Sequence, residues 1–412
     1  MSLPAGKKRI LVLTADVGFG HRSVSNAIAE AIQDAYSDTL DVNVINPLDD
    51  PRVPKFIRSQ QTDYDKLVRT MPRRYRLQYQ FGDLQPAALL VETVLVATLF
   101  NVIFDLLQVY SPDLVIVTNT MFVSPMSAVT TIYNLNLPIY TVITDLANVH
   151  RLWFNDGVTL TLVANEAVFQ QALDMGLPPE RVRITGVPVK PEASKETRSR
   201  AAIRASLGWD PQLTTALVVG SARVKNLEKV LDVINHSGLP LQLVIVAGKD
   251  DELYRWLQET DWHLPSYCYY YTNELITFMH ASDIILTKAG GAIISEAFAC
   301  GLPLLFVDVT PGQEEPNASY VVNNGAGELA TKPLVALETL RCWLADGKRL
   351  LDLHARRSLE LGHICSAYTI ADLAYKAVQG EFLPVRHPHS SVQPRIRKLL
   401  ENLNIIGQNS LN

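Results

Sequence analysis

Two regions of the chain combine residue types suited to group transfer. The first is Thr14-Ala15-Asp16-Val17-Gly18-Phe19-Gly20-His21-Arg22-Ser23, which follows a β-branched run and leads into the helical spacing of Ala27, Ile28, Ala31 and Ile32. Gly18 and Gly20 let backbone N–H groups approach a ligand at a helix N-terminus, where partial positive charge favours a developing anion. The stretch is not the dinucleotide fingerprint G-x-G-x-x-G, because His21 follows the second glycine and no third one comes. A tight strand-to-helix connection would use the same glycines. His21 adds chemistry: an imidazole with an ordinary pKa of about 6.5 at a glycine-rich mouth suits general-base work. A helix-capping histidine is the structural alternative.

The second region opens with Ser282-Asp283-Ile284-Ile285-Leu286-Thr287-Lys288-Ala289-Gly290-Gly291 and continues through Ala292 to Ala297. A buried strand runs into Lys-Ala-Gly-Gly, and the following helix carries Glu296 at about its second turn. Amides around Ala289, Gly290 and Gly291 can cradle a diphosphate, Lys288 adds positive charge, and Glu296 can accept from both hydroxyls of a ribose. One strand later comes Thr310-Pro311-Gly312-Gln313-Glu314-Glu315-Pro316-Asn317, whose Gln313 and Glu314 can bond sugar hydroxyls. Each stretch alone is compatible with ordinary turn chemistry. Their order and spacing together are more specific.

These residues need a scaffold that brings loops to one edge of a sheet. Short β-branched runs alternate with helical periodicity, the pattern of a parallel sheet covered by helices. Strands are expected at Arg9–Thr14, Val42–Asn46, Leu114–Thr118, Pro138–Thr144, Thr159–Val163 and Val182–Thr185. The segment Gly186 to Lys195, with Pro188 and Pro191, interrupts the periodicity and reads as a linker. The alternation restarts at Thr215–Val219, Leu241–Ala247, Tyr267–Tyr271, Ile284–Thr287 and Leu304–Val307. The fold class is therefore α/β, with two doubly wound Rossmann-like domains, 1–188 and 189–378, and a surface tail over 379–412. Such domains facing each other would put the carboxyl ends of both sheets around a central cleft, where open α/β sheets bind ligands.

Composition narrows the function. Lys+Arg is 37 and Asp+Glu 42 in 412 residues, a net charge of −5, which argues against a general nucleic-acid binder. Cys268, Cys300, Cys342 and Cys365 show no C-x-x-C spacing, so a reducing cytoplasm is expected and neither a zinc site nor a disulfide framework. Lys7-Lys8-Arg9 leads into an apolar run too short for a signal peptide. The longest apolar stretch, Ala87 to Leu107, carries Glu92, Asn101 and Asp105 and reads as a buried helix rather than a membrane span.

The motifs together resemble the monogalactosyldiacylglycerol synthase and processive diacylglycerol glucosyltransferase family, GT-B glycosyltransferases related to the peptidoglycan N-acetylglucosaminyltransferase. The resemblance covers most of residues 8–380. It rests on G-F-G-H-R-S at 18–23, T-D-L-x-x-x-H at 144–150 with Trp153-Phe154, G-V-P-V at 186–189, S-D-I-I-L-T-K-A-G-G at 282–291, S-E-A at 295–297, G-L-P at 301–303 and G-Q-E-E-P-N at 312–317. It implies a UDP-sugar donor in the C-terminal domain, a lipid acceptor on the N-terminal side and inversion at the anomeric carbon. His21 matches the family's catalytic base, and Gly18 and Gly20 its glycine loop. Lys288, Ala289, Gly290 and Glu296 match the donor motif, completed by Gln313, Glu314 and Asn317. His150 is a further acceptor-side residue, with a structural loop histidine as the alternative.

There are departures from the family pattern. Gly291, Ala292 and Ile293 stand where the family commonly has Pro, Gly and Thr, so any hydroxyl contact from that Thr is lost. The glycine-rich loop of the second domain is reduced to Gly220-Ser221-Ala222-Arg223-Val224-Lys225, which leaves Arg223 or Lys225 to bind diphosphate by charge. No cofactor and no metal is expected. The chain's one Asp-x-Asp, Asp63-Tyr64-Asp65, does not follow a core strand.

One segment fits a lipid acceptor. Between Arg52 and Arg76 eight basic residues face two acidic ones, with aromatics interleaved. A solvated charged face has the same composition. Beside the resemblance, Arg52, Lys55, Phe56, Arg58, Arg73, Arg74 and Arg76 read as a docking surface for anionic membrane lipids. The expected activity is inverting transfer of galactose or glucose from UDP-galactose or UDP-glucose to diacylglycerol, by an enzyme peripheral on the inner, cytoplasmic membrane face. Transfer to a polyprenyl-linked acceptor, nucleotide-sugar 2-epimerisation and a non-catalytic UDP-sugar sensor are the alternatives.

Overall fold

A computed structural model describes residues 6–16, 19–59, 85–221, 224–381, 393–403 and 405–406. The chain forms two compact units. One comprises the described residues up to Lys190 and again those from Cys365 onward; the other runs from Pro191 to Ile364.

The first unit holds six parallel strands: β1 (Lys8–Leu13), β2 (Leu40–Ile45), β3 (Leu114–Val117), β4 (Ile139–Val142), β5 (Leu160–Val163) and β6 (Val182–Ile184), in the order β2-β1-β3-β4-β5-β6. Ile10 to Leu13 and Leu114 to Val117 are buried on both faces. Covering helices explain why these strands read as continuous apolar runs rather than alternations. Burial of each Val, Leu or Ile side chain contributes about 1.5–3 kcal/mol.

Helix α1 (Phe19–Tyr36) follows β1, and α2 (Gln85–Tyr110) precedes β3. The span Ala87–Tyr110 is long and apolar enough to cross a membrane by length and composition, and 39% of that window is buried in the first unit. Its inner face, including Leu95, Val96, Leu99, Phe100 and Ile103, packs into the core. The outer face leaves Leu90, Val91 and Val94 exposed, so the helix is half-buried where the sequence leads one to expect full burial. Its inner neighbour is α3 (Val123–Ile132).

The second unit holds β7 (Thr214–Val219), β8 (Leu241–Val246), β9 (Ser266–Tyr269), β10 (Ile284–Lys288), β11 (Leu304–Asp308) and β12 (Gly327–Leu329). The order β12-β11-β10-β7-β8-β9, read from β9, is the Rossmann order 3-2-1-4-5-6. Strand β12 has no counterpart in the sequence reading, because three residues carry no periodicity. A Cβ at Gly327 would stand 2.0 Å from the Leu304 carbonyl oxygen, so only glycine allows that edge pairing. Helices α4 (Gly291–Ala299) and α5 (Glu315–Asn323) follow β10 and β11.

The chain ends on the first unit. Helix α6 (Ser366–Val378) buries Ala367, Ile370, Ala371 and Ala374 and packs on α1, with Tyr36 stacked on Tyr375 at 4.5 Å. Within the segment expected as a surface tail, the helix Gln393–Asn402 and the residues after it bury Leu400 and Ile406 in the first unit's core. Two apolar side chains in a basic stretch are too few to show a periodicity.

Candidate active site

In the first unit the strand order reverses between β1 and β3, and open α/β sheets bind ligands outside the strand ends at such a reversal. His21 lies there, in the first turn of α1 beside Gly20; Gly18 lies outside the described residues. Its Nδ1 is 2.8 Å from the carbonyl oxygen of Thr118, just after β3. A carbonyl only accepts, so Nδ1 carries the proton and donates. In the neutral ring the lone pair is then on Nε2. Thr144, just after β4, brings its hydroxyl 3.3 Å from the same Nδ1. Ser25 Oγ is 2.9 Å from the His21 carbonyl and 2.7 Å from Thr118 Oγ1, which itself donates to Leu13. Burial pulls the His21 pKa down to about 4, against the raising effect of the Thr118 bond. His21 is therefore neutral and oriented as a proton acceptor at neutral pH.

The loop after β4 flanks this histidine. The ring of Trp153 lies 6.3 Å from that of His21. His150 Nδ1 accepts from the Leu152 amide at 3.2 Å and caps the 3-10 turn Arg151–Trp153. That bond puts the neutral ring's proton on Nε2, so His150 presents a donor where His21 presents a lone pair. The loop is pinned at several points. Gln171 bridges the backbone of Val149, Asn165 donates to Leu146, and the buried Arg181 guanidinium donates to the carbonyls of Asp156 and Val158. At the mouth, Arg22 grips Asp16 through two bonds of 2.8 and 2.9 Å, which holds the Asp16 carboxyl below its usual range against partial burial.

The second unit reverses between β7 and β10, and the donor-motif residues gather at those strand ends. Gly220, just after β7, is tightly packed, since an added Cβ would meet Leu253 at 2.7 Å. Ser221 follows it, and Arg223 lies outside the described residues. A register shift between Thr287 and Lys288 re-aims the end of β10. Lys288 Nζ there bonds the buried carboxylate of Glu314, whose other oxygen accepts from the Thr310 amide at 3.0 Å. Burial alone would raise the Glu314 carboxyl. The Lys288 charge and hydrogen bond, with the Thr310 amide, outweigh it and hold the group below its usual range.

Ala289 and Asn317 are fully buried, and Asn317 Nδ2 donates to the Ala289 carbonyl at 3.3 Å, tying α5 to the β10 loop. Gly290 is the N-cap of α4 and, having no side chain, makes no side-chain capping bond. Glu296 is 7% exposed on α4, and Gln313 lies on the turn before α5. The structure thus brings Lys288, Gly290, Glu314 and Asn317 together and offsets the lysine's charge with Glu314.

Of the basic segment, Arg73, Arg74 and Arg76 lie outside the described residues. Arg52 is exposed but pairs with Asp50 at 2.7 Å and with Asp105 of α2 at 2.5 Å, so its charge is locally offset. Lys55 and Phe56 are exposed on the short helix Lys55–Arg58, with Phe56 at 59%, and Arg58 is half-buried.

Sequence reasoning missed the partners that orient these groups. Thr118 and Thr144 stand just after β3 and β4, on the same strand-end side as His21, a position that could have flagged them. Asp308 is a second omission: it accepts from the Lys225 amide at 2.9 Å and so anchors the shortened loop after β7. Burial raises its carboxyl.

Comparison with known proteins agrees with this layout. The family model for monogalactosyldiacylglycerol (MGDG) synthase matches residues 21–189, and the glycosyltransferase family 28 C-terminal domain matches residues 215–342. Monogalactosyldiacylglycerol synthase 3, chloroplastic, of Arabidopsis thaliana is 28% identical over 399 residues, 92% of this chain and 83% of that protein. The chloroplastic synthase of Spinacia oleracea is 27% identical over 369 residues, 87% of this chain and 70% of that protein. Among solved structures, MurG of Acinetobacter baumannii superposes with a TM-score of 0.56 at 14% identity, covering 90% of this chain and 99% of that one. UDP-GlcNAc 2-epimerase from Neisseria meningitidis gives 0.56 at 14%, covering 90% and 100%. At these identities the structural likeness establishes the GT-B fold, and the sequence comparisons show what it carries: the chain is a glycosyltransferase that resembles the monogalactosyldiacylglycerol synthases.

Proposed function

We propose that this enzyme transfers a hexose, galactose or glucose, from a UDP-sugar to diacylglycerol with inversion of the anomeric carbon. The observation that carries this reading is His21, with Nδ1–H committed to the Thr118 carbonyl and the Nε2 lone pair left to receive a proton. The acceptor hydroxyl gives its proton to Nε2 while its oxygen forms the new bond to the anomeric carbon. The bond to the UDP oxygen breaks on the opposite face, and a single displacement inverts the centre. Lys288 and the α4 amides offset charge on the departing diphosphate, and Glu296 accepts from the ribose hydroxyls. The names of the plant relatives specify galactolipid synthesis, which favours galactose and diacylglycerol.

The same reading puts the protein on the cytoplasmic face of a membrane as a peripheral enzyme, with Lys55 and Phe56 among the residues meeting anionic lipid. The test supplies UDP-galactose or UDP-glucose with diacylglycerol vesicles, weighs the lipid product and assigns its anomer by NMR. A hexosyl-diacylglycerol of inverted configuration is expected. No lipid-linked hexose, or retained configuration, overturns the proposal. Vesicle flotation tests the membrane part: binding that rises with anionic lipid and falls with salt is expected, and salt-independent binding to neutral lipid contradicts it.

A further inference from the structure

The order of the second sheet, read from β9, makes β7 the first strand of a Rossmann unit, and the turn from that strand into its helix is where such units seat a diphosphate. Glycines normally shape this turn and let its backbone approach the phosphates. Of Gly220-Ser221-Ala222-Arg223-Val224-Lys225, only the first residue is glycine. The turn is held instead by partners at its two ends. Gly220 N donates to the Val246 carbonyl at 2.8 Å, and the Lys225 amide donates to Asp308 Oδ2 at 2.9 Å. Directly after Lys225 the backbone turns through Asn226, at a left-handed φ of 57°, into the helix Leu227–Asn235. The bond to Asp308 thus sets where that helix begins.

Asp308 stands at the end of β11, two strands from β7, and its Cα pairs with that of Lys288 on β10 between them. Its hold on Lys225 therefore draws the chain from β7 across the end of the strand that bears Lys288. A Cβ at Gly290 would lie 3.5 Å from Lys288 Nζ and 3.7 Å from Glu314 Oε1, so the lysine is at the N-terminus of α4. The other Asp308 oxygen accepts from the Val309 amide at 2.9 Å. With both oxygens on backbone amides, the carboxylate serves as an anchor and not as a ligand contact. The charge of Lys225 is close enough to lower the Asp308 carboxyl against burial, and it offsets the negative charge that the anchor brings to an anion site. We propose that Asp308 is a positioning residue for the donor: through the Lys225 amide it holds the turn after β7 at the strand ends that take the diphosphate of the nucleotide sugar. This inference rests on the UDP-sugar reading made above.

The test uses the full-length enzyme with UDP-sugar and dioctanoylglycerol and compares Asp308→Ala and Asp308→Asn with wild type. Asp308→Ala removes the acceptor; Asp308→Asn removes the charge and keeps an oxygen that can accept from Lys225. The expected result for Asp308→Ala is a KM for UDP-sugar raised about tenfold or more, with kcat within about threefold and the KM for dioctanoylglycerol within about twofold of wild type. Asp308→Asn should recover most of the donor KM. If Asp308→Ala does not fold, Asp308→Glu, which keeps the charge and displaces the oxygen by one methylene, replaces it with the same expectations. A donor KM unchanged by removal or displacement of the acceptor overturns the inference and leaves the proposed function standing. Donor KM, acceptor KM and kcat impaired alike, or Asp308→Asn no better than Asp308→Ala, overturns it in favour of a structural or purely electrostatic role. Wild type that binds no UDP in calorimetry overturns the donor reading, and the inference with it.

Discussion

The Nδ1 of His21 lies 2.8 Å from the carbonyl oxygen of Thr118, a residue 97 positions away in the chain. This bond selects the tautomer that keeps a lone pair on Nε2, and it joins the loops on the two sides of the strand reversal in the first unit. Replacing His21 with Ala should cut turnover roughly 10²–10⁴-fold and leave UDP affinity unchanged in calorimetry. Near-wild-type turnover would mean that the base lies elsewhere.

The pH dependence follows from the same burial. With a native pKa of about 4 against 6.5 when unfolded, the folded state binds fewer protons than the unfolded state between those values. Stability should therefore rise with pH across that window and fall as pH drops through it. His21→Ala should lack this increment in thermal melts. On the activity side, His21 stays a competent base down to about pH 4, so any acid limb it causes in kcat/KM should lie near pH 4 rather than near 6.5.

Lys288 and Glu314 should behave as a coupled pair. Removing the lysine alone, in Lys288→Met, leaves a buried carboxylate unpaired and should cost about 3–5 kcal/mol of stability. Lys288→Met with Glu314→Leu should recover most of that loss without recovering donor affinity. Denaturant melts and UDP calorimetry on the same samples separate the two effects. A double variant with wild-type UDP affinity would remove Lys288 from the donor site.

Glu296→Gln should weaken UDP binding by about 1.5–3 kcal/mol, the usual loss for hydrogen bonds to a charged group. Unchanged affinity in calorimetry would refute the ribose assignment.

On the proposed reading transfer should continue in EDTA, with Lys288 and the α4 amides taking the diphosphate charge without a divalent ion. Activity abolished by EDTA and restored by manganese would contradict this.

Periodicity carried most of the fold. The runs around Ile10 to Leu13 and Leu241 to Val246 are continuous and β-branched because helices cover both faces of each sheet. Motif order carried the placement of His21, Lys288, Gly290 and Glu314 at strand ends, since a ligand loop in a parallel sheet follows its strand directly in sequence. Short-range patterns could not reveal β12, whose three residues pair through the close approach of Gly327 to Leu304. Nor could they show Leu400 returning to the first core from a basic segment.

The sequence by itself determined which residue types stand after which strand, because strand, turn and helix signals are local and each ligand loop is only a few residues long. The tertiary structure alone decided what those residues do to one another. Thr118 sets the proton of His21, Glu314 offsets the charge of Lys288, and Ser124 donates to Glu92. Each partner lies 26 or more positions away in the chain. Such pairs meet only when strand order and helix packing bring distant loops together, and burial in that assembly gives their protons and charges their final values.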